Sequence, residues 1–238
     1  MLIDFCLLTY LQNKIDADIP AAILKDDKTK IAIYKVVAGT AMSEARYKKL
    51  SALEKDKFAK NIAIFLSQIH GLSVADVQKC KIPIKSFDAQ NREVKNNIKF
   101  IYPHLTQQEK TVLNNFIINR KNLLKEIKPV LIHGDLTSDN VFVDKQSKNN
   151  LGIIDFSDSV ISDQAKDFAA LFSYGEKFVH SVLKYYTATS SSELFERARI
   201  YYQDEAIKLL KLAIQGSKFI NKKDAIKLFQ KRFKLKRV

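Results

Sequence analysis

Apolar residues recur along this chain at two spacings, and the change from one to the other marks its organisation. Ile3, Leu7, Leu8, Leu11 and Ile15 fall at helical intervals, and Ile19-Pro20 ends that element and turns the chain. Residues 21–24 and 30–37 then read as two strands around the turn Asp26-Asp27-Lys28. Beyond Thr40 the helical period dominates. Ser51-Ala52-Leu53-Glu54 is a capping box, and the helix it opens carries Phe58, Ile62, Phe65, Leu66 and Ile69 on one face before stopping at Gly71. His70, in the last turn, reads as a helix-end or packing residue whose positive form the helix dipole favours. A short helix over 73–80 and a polar connection over 81–97 follow. A second capping box, Thr106-Gln107-Gln108-Glu109, opens a helix to about Ile127 with Val112, Leu113, Phe116, Ile117 and Leu124 inward. Lys128-Pro129 stops it.

Three short apolar runs interrupt the helical pattern: Val130 to Ile132, Val141 to Val143, and Leu151 to Ile154, the last two separated by a polar turn from Asp144 to Asn150. Helices are predicted again over 164–174, 175–188, 192–215 and 221–233, with Ser190-Ser191-Ser192 as a cap signal and Gly216 as a stop. The pattern predicts an α+β fold, with short strands near the start and in the middle and helices over most of the remainder.

Composition narrows the class. At 238 residues with 46% apolar content, 15 Phe and 9 Tyr, the chain can bury a sizeable core. It has no apolar run of about twenty residues, so no membrane span is expected. The start, MLIDFCLLTYL, lacks a basic leader and does not read as a signal peptide. Cys6 and Cys80 lie far apart without metal-ligand spacing and read as buried thiols in a reducing cytoplasm. The net charge is +14, and residues 204–238 hold eleven basic against three acidic residues. The terminal KRFKLKRV has the charge to meet nucleic acid or anionic lipid. With no aromatic stacking motif or nucleic-acid module beside it, it reads instead as a solvated helix face with a frayed tail.

The chemistry concentrates in one stretch, LIHGDLTSDNVFVDKQSKNNLGIIDF, residues 131–156. A strand ends in His133-Gly134-Asp135, Asn140 follows five residues after Asp135, and a later strand delivers Asp155-Phe156. Phosphoryl transfer from a nucleotide needs one carboxylate to orient the attacking hydroxyl and oxygen ligands to hold magnesium against the phosphates. D-x-x-x-x-N followed by a strand-borne D-F supplies those residue types at that spacing. Asp135 is the candidate base, and Asn140 and Asp155 the candidate Mg2+ ligands. A turn between short strands would also use Asp, Asn and Gly, but not in this order across three apolar runs. His133 is assigned a bracing role.

HGDLTSDNVFVD and GIIDFSDSVISDQAKDFAAL together resemble the aminoglycoside phosphotransferase family of kinase-like enzymes, closest to the branch acting on the 2''-hydroxyl. The resemblance is specific over residues 132–171 and weaker elsewhere. It implies a protein-kinase-like two-lobe fold: residues 1–39 as a reduced small lobe with a hinge, and residues 40–238 as a helical large lobe with the catalytic loop. It implies ATP or GTP as phosphate donor, with Lys35 and Val37 at the hinge offering backbone groups to the nucleotide base. Asp135 matches the base, Asn140 and Asp155 the metal ligands, and Asp158, Asp163 and Asp167 match acids that brace the loop and cap the next helix. Asp4 aligns with an acid that normally pairs with a strand lysine, and neither that lysine nor a glycine-rich hairpin is present before it. The short interval from Asp155 to Gln164 leaves no room for a protein-docking platform, which points to a small-molecule hydroxyl acceptor.

The acceptor-side helices offer Glu176, Glu196, Asp204 and Glu205 to an amine-bearing substrate, although each reads more simply as a surface carboxylate. A polycationic aminoglycoside needs local acid that a chain at +14 supplies only by focusing. An amino alcohol, sugar or nucleoside therefore stands as the alternative acceptor. The rival from another class is a non-catalytic or truncated pseudokinase-like protein that binds a nucleotide or partner without turnover.

Overall fold

The computed structural model describes residues 3–26, 28–29, 31–125, 127–144, 151–189 and 193–235. Its contacts divide the chain into two compact units that do not follow chain order: residues 1–84 with 128–195, and residues 85–127 with 196–238. The turn residues 145–150, the serines 190–192 and the tail 236–238, on which the sequence reading also drew, lie outside the described residues.

The first unit opens with α1 (Ile3–Leu11), whose Leu7, Leu8 and Leu11 are buried. β1 (Ala21–Asp26) and β2 (Ile31–Lys35) form an antiparallel hairpin with a register shift between Ala22 and Leu24. One face of it meets α1 through Phe5 and Tyr34, whose rings lie 5.9 Å apart. β3 (Thr40–Ala41) leads into α2 (Glu44–Lys48) and α3 (Ala52–His70). The capping box on α3 forms as its sequence requires: Ser51 accepts from the Glu54 amide while Glu54 reaches back. α4 (Val74–Gln78) is short and capped by Ser73.

Three short strands follow the interrupted pattern, and a fourth was not foreseen. β4 (Val130–Ile132) pairs antiparallel with β7 (Val160–Ser162), while β5 (Val141–Val143) lies between β3 and β6 (Gly152–Ile153). α7 (Ala165–Ala170) continues as a 3-10 turn through Tyr174, and α8 (Glu176–Tyr185) packs against α3. Between α2, α3 and α8, Tyr47, Phe58, Tyr174 and Phe178 form a ring cluster with centroids 5.0 to 6.2 Å apart.

The two cysteines are not separate thiols. Cys6 on α1 and Cys80 just beyond α4 form a disulfide, their Cα atoms 5.4 Å apart across 74 residues of sequence. The sequence reading inferred distance in space from distance in sequence; the return of the chain through α3 and α4 brings the two together. A disulfide persists in an oxidising compartment and is two thiols in a reducing one.

The second unit is helical in its described residues. α5 (Phe87–Ile101), capped by Ser86, occupies much of what the sequence suggested was a polar connection. Its buried stripe is narrow and half polar, Gln90 and Asn97 beside Ile98 and Ile101, so an apolar period is hard to see. α6 (Gln107–Leu123) opens on the Thr106 capping box, and α9 (Leu194–Ile214) and α10 (Lys222–Arg232) complete the set. Leu113, Phe116, Ile207, Leu210, Phe229 and Phe233 lie at the centre of its core. Among the described residues, no helix is long and apolar enough to cross a membrane.

Candidate functional site

All the loop chemistry lies in the first unit. β4, buried along its length, delivers His133 and Gly134, whose backbone amides donate to Asp167 Oδ2 and Oδ1, each at 2.9 Å. Gly134 has φ +88, and a Cβ there would run into the Asp158 carbonyl, so the turn admits only glycine. The His133 ring is buried. Nδ1 accepts from the Asp135 amide at 3.3 Å and Nε2 lies 3.0 Å from the Ile154 carbonyl, an arrangement suited to the neutral ring with its proton on Nε2. Burial lowers its pKa despite the nearby carboxylates of Asp167, Asp135 and Asp155. His133 therefore ties the start of the loop to the strand that carries the second acid.

Asp135 is half-buried, and the Asn140 side-chain amide donates to its carbonyl at 2.8 Å and to Oδ2 at 2.9 Å. Desolvation pushes the Asp135 carboxyl above the usual carboxylate range, opposed by His133 and Asn140 and reinforced by Asp158 and Asp155. The Asn140 carbonyl accepts from the Ile154 amide at 3.0 Å. One asparagine thus joins the first acid to the residue preceding the second. Asp155 itself is exposed at φ +63, a left-handed conformation that costs a non-glycine residue and concentrates at functional sites. Its Oδ1 accepts from the Ser157 hydroxyl at 2.6 Å and from the Ser157 amide at 3.3 Å. The following Phe156 is buried, its ring 4.7 Å from that of His133.

The donor set fits a magnesium ion. With its NH2 turned to Asp135, Asn140 keeps its amide oxygen, and Asp155 keeps Oδ2, for which no partner occurs among the described residues. Among the described residues, no group of three or more His, Cys, Asp or Glu is placed to hold a metal. Magnesium does not require one, since it binds through one or two protein oxygens with waters and phosphates completing its shell.

The brace behind the loop extends further than the sequence indicated. Asp167 is wholly buried; desolvation alone would raise its pKa, but the hydrogen bond and charge of His70, with the Gly134 amide, hold it low. His70 Nε2 lies 3.1 Å from Asp167 Oδ2, and its Nδ1 lies 3.0 Å from the Tyr186 hydroxyl. His70, the last residue of α3, is thus a buried helix-end histidine as expected, and it links α3 to the loop. Asp163 accepts from the Ala165 amide at 3.0 Å at the start of α7.

The remaining candidates are placed as follows. Lys35 ends β2 opposite Ala21 and is exposed; Val37 is half-buried against Gly152, with no hydrogen bond to its amide or carbonyl among the described residues. Asp4 accepts from the Tyr34 hydroxyl at 3.0 Å. Asp204 pairs with Arg120, Glu196 with Arg199 and Glu205 with Lys208, each within the second unit. Sequence reasoning missed Ser157 and the His70–Asp167 pair. A serine two positions after an acid is a turn signal that could have found the first; nothing in the spacing of residues 70 and 167 announces the second.

Solved structures share this fold. Aminoglycoside 2'-phosphotransferase-IIIa in its GDP complex superimposes with a TM-score of 0.85 at 20% identity, over 98% of this chain and 81% of that one. The ADP-bound aminoglycoside phosphotransferase APH(2'')-Ib gives 0.68 at 23%, over 98% and 81%. The macrolide 2'-phosphotransferase MphH from Brachybacterium faecium, as apoenzyme, gives 0.72 at 13%, over 96% and 79%. The fold is therefore kinase-like, mostly helical with small sheets. Residues 6–201 match the APH phosphotransferase enzyme family, and the chain belongs to it.

Proposed function

We propose that this protein transfers the terminal phosphate of ATP or GTP to a hydroxyl of a small molecule, with Mg2+ required. The observation that carries this is the bonding of Asn140 to both sides of the site, to Asp135 by its side chain and to Ile154 by its carbonyl. Asp135 orients the acceptor hydroxyl and takes its proton as the new O–P bond forms and the bond from the γ-phosphorus to its bridging oxygen breaks. The raised pKa of Asp135 makes it a better proton acceptor than an ordinary surface aspartate. Asn140 and Asp155 would hold magnesium, which supplies charge neutralisation for the phosphates. Ser157 holds Oδ1 of the Asp155 carboxylate, and Oδ2 has no partner among the described residues. Backbone groups at Lys35 and Val37 are the contacts assigned to the nucleotide base.

For the acceptor, the solved relatives are named for aminoglycosides and macrolides. Three of the four candidate acids on the later helices are consumed by ion pairs. That favours a less cationic alcohol, such as an amino alcohol, sugar or nucleoside, over a polycationic aminoglycoside. A non-catalytic nucleotide binder is the second reading, and it is favoured by Asp4, whose partner is Tyr34 rather than a lysine.

The test is calorimetric titration with ATP and with GTP, with and without magnesium, beside Asp155→Ala. Magnesium-dependent binding that the variant loses is expected, and product formation in an acceptor screen then separates enzyme from binder. Binding that ignores both magnesium and the substitution would refute the metal assignment. Thiol labelling in cells tests the cytoplasmic placement expected from sequence: free Cys6 and Cys80 would support it, and a protected pair, as the disulfide of the structure implies, would overturn it.

A further inference from the structure

The second unit carries almost all of the protein's net charge. It holds twenty-one Lys and Arg against eight Asp and Glu, a net +13 of the total +14, while the first unit is near neutral. We propose that residues 216–220 and the exposed face of α10 form a docking surface for an anionic lipid membrane.

Three arginines of this unit are turned inward or spoken for. Arg120 binds Asp204 and Asn91, Arg232 donates to the Tyr202 carbonyl and lies over its ring, and Arg199 pairs with Glu196. The outward charge is lysine. Lys218, Lys222, Lys223, Lys227 and Lys231 are all exposed, and among the described residues only Lys227 of these has an acidic neighbour, Asp224 at 3.9 Å.

Among these lysines stands Phe219, 99% exposed, the most exposed large apolar side chain in the described structure. Its loop is held in shape. Gly216 turns at φ +83, the Phe219 amide donates to Ser217 Oγ at 3.2 Å, and Asn221 caps α10 through the Asp224 amide at 2.9 Å. A fully hydrated Phe held out at a loop tip gains by burial, and lysines around it are drawn to the negative headgroups it would have to pass.

The same features fit nucleic acid less well. Single-strand binding uses successive aromatic platforms along a basic groove with arginine contacts, whereas here one ring projects from a tip and these arginines serve the interior.

The test is cosedimentation of the full chain with vesicles of phosphatidylcholine alone and of phosphatidylcholine mixed with phosphatidylserine. Binding to the mixed vesicles only is expected, weakening with salt. Phe219→Ser should reduce it about tenfold, and each of Lys222→Gln and Lys223→Gln about fivefold. Phe219 makes no buried contact, so an unchanged melting temperature verifies that the variant is folded. Equal binding to neutral vesicles, indifference to Phe219→Ser, or tighter binding to a single-stranded oligonucleotide than to anionic vesicles would each overturn the proposal.

Discussion

The two units are held together by different physics. In the first, a fully buried carboxylate, Asp167, satisfies two backbone amides and a histidine, and everything downstream depends on directional bonds of about 3 Å. In the second, leucine, isoleucine and phenylalanine from four helices fill a common core, with Arg120 and Asp204 as a mostly buried ion pair at its margin. Packing by area tolerates many side chains of similar volume. A bonded loop does not, because each donor has one place to go. The unit that holds the candidate site is therefore the one whose geometry single atoms can disturb.

The sharpest break should come at Asp167. Asp167→Ala leaves two buried amides and His70 without their acceptor, for an expected loss of about 3 to 5 kcal/mol in chemical denaturation, together with a fall in phosphoryl transfer of at least two orders of magnitude. The pH dependence follows from the direction of its shift. Its folded-state pKa is depressed, so its contribution is complete above the ordinary carboxylate value and is lost as pH falls through the folded value. The stability gap between wild type and Asp167→Asn should thus be constant near neutrality and close only in acid. A gap that grew in acid would reverse the assignment.

Removing the disulfide is the next largest change in the first unit. Cys6→Ser releases a 74-residue separation and should cost about 4 kcal/mol, and a reductant should reproduce that loss in the wild type. Equal melting temperatures with and without reductant would show that the bond does not form in solution. In the second unit, Arg120→Ala removes the guanidinium that pairs with Asp204 in a mostly buried setting, at a cost of about 2 to 3 kcal/mol. Hydrogen exchange should place that loss in amides of residues 85–127 and 196–235, leaving those around Asp135 protected.

How much of this was visible beforehand divides along the same line. The candidate stretch was legible as local structure, because its polar residues are set between short apolar runs: Asp135 and Asp155 lie just after short strands and Asn140 just before one. The capping boxes at Ser51 and Thr106 were legible because they are local. What escaped was long-range. His70 and Asp167 meet across 97 residues, Cys6 and Cys80 across 74, and β7 is recognised as a strand only by its partner β4. α5 escaped for the opposite reason: its buried face is partly polar, with Asn97 receiving Lys211 and Asn91 receiving Arg120. A hydrophobic period cannot report polar burial.

The smallest effect tests the edge of the first unit. Tyr34 on β2 donates to Asp4 on α1, and desolvation first, then that hydrogen bond and the Asp4 charge, push its hydroxyl up to about 12. A tyrosine ionises near 10 when unfolded, so the folded state resists losing this proton. The contribution is therefore complete below pH 10 and disappears as pH rises toward 12. Tyr34→Phe should cost about 1 kcal/mol at neutral pH and flatten the alkaline decline in stability over that window. Tyr47 and Tyr174, whose hydroxyls burial also pushes up, remain in the variant, so the decline should become shallower rather than vanish. An unchanged alkaline limb would mean that the hairpin and α1 are not joined through this hydroxyl. Asp4 would then be available to a cation, which is the arrangement a nucleotide-clamping lysine requires.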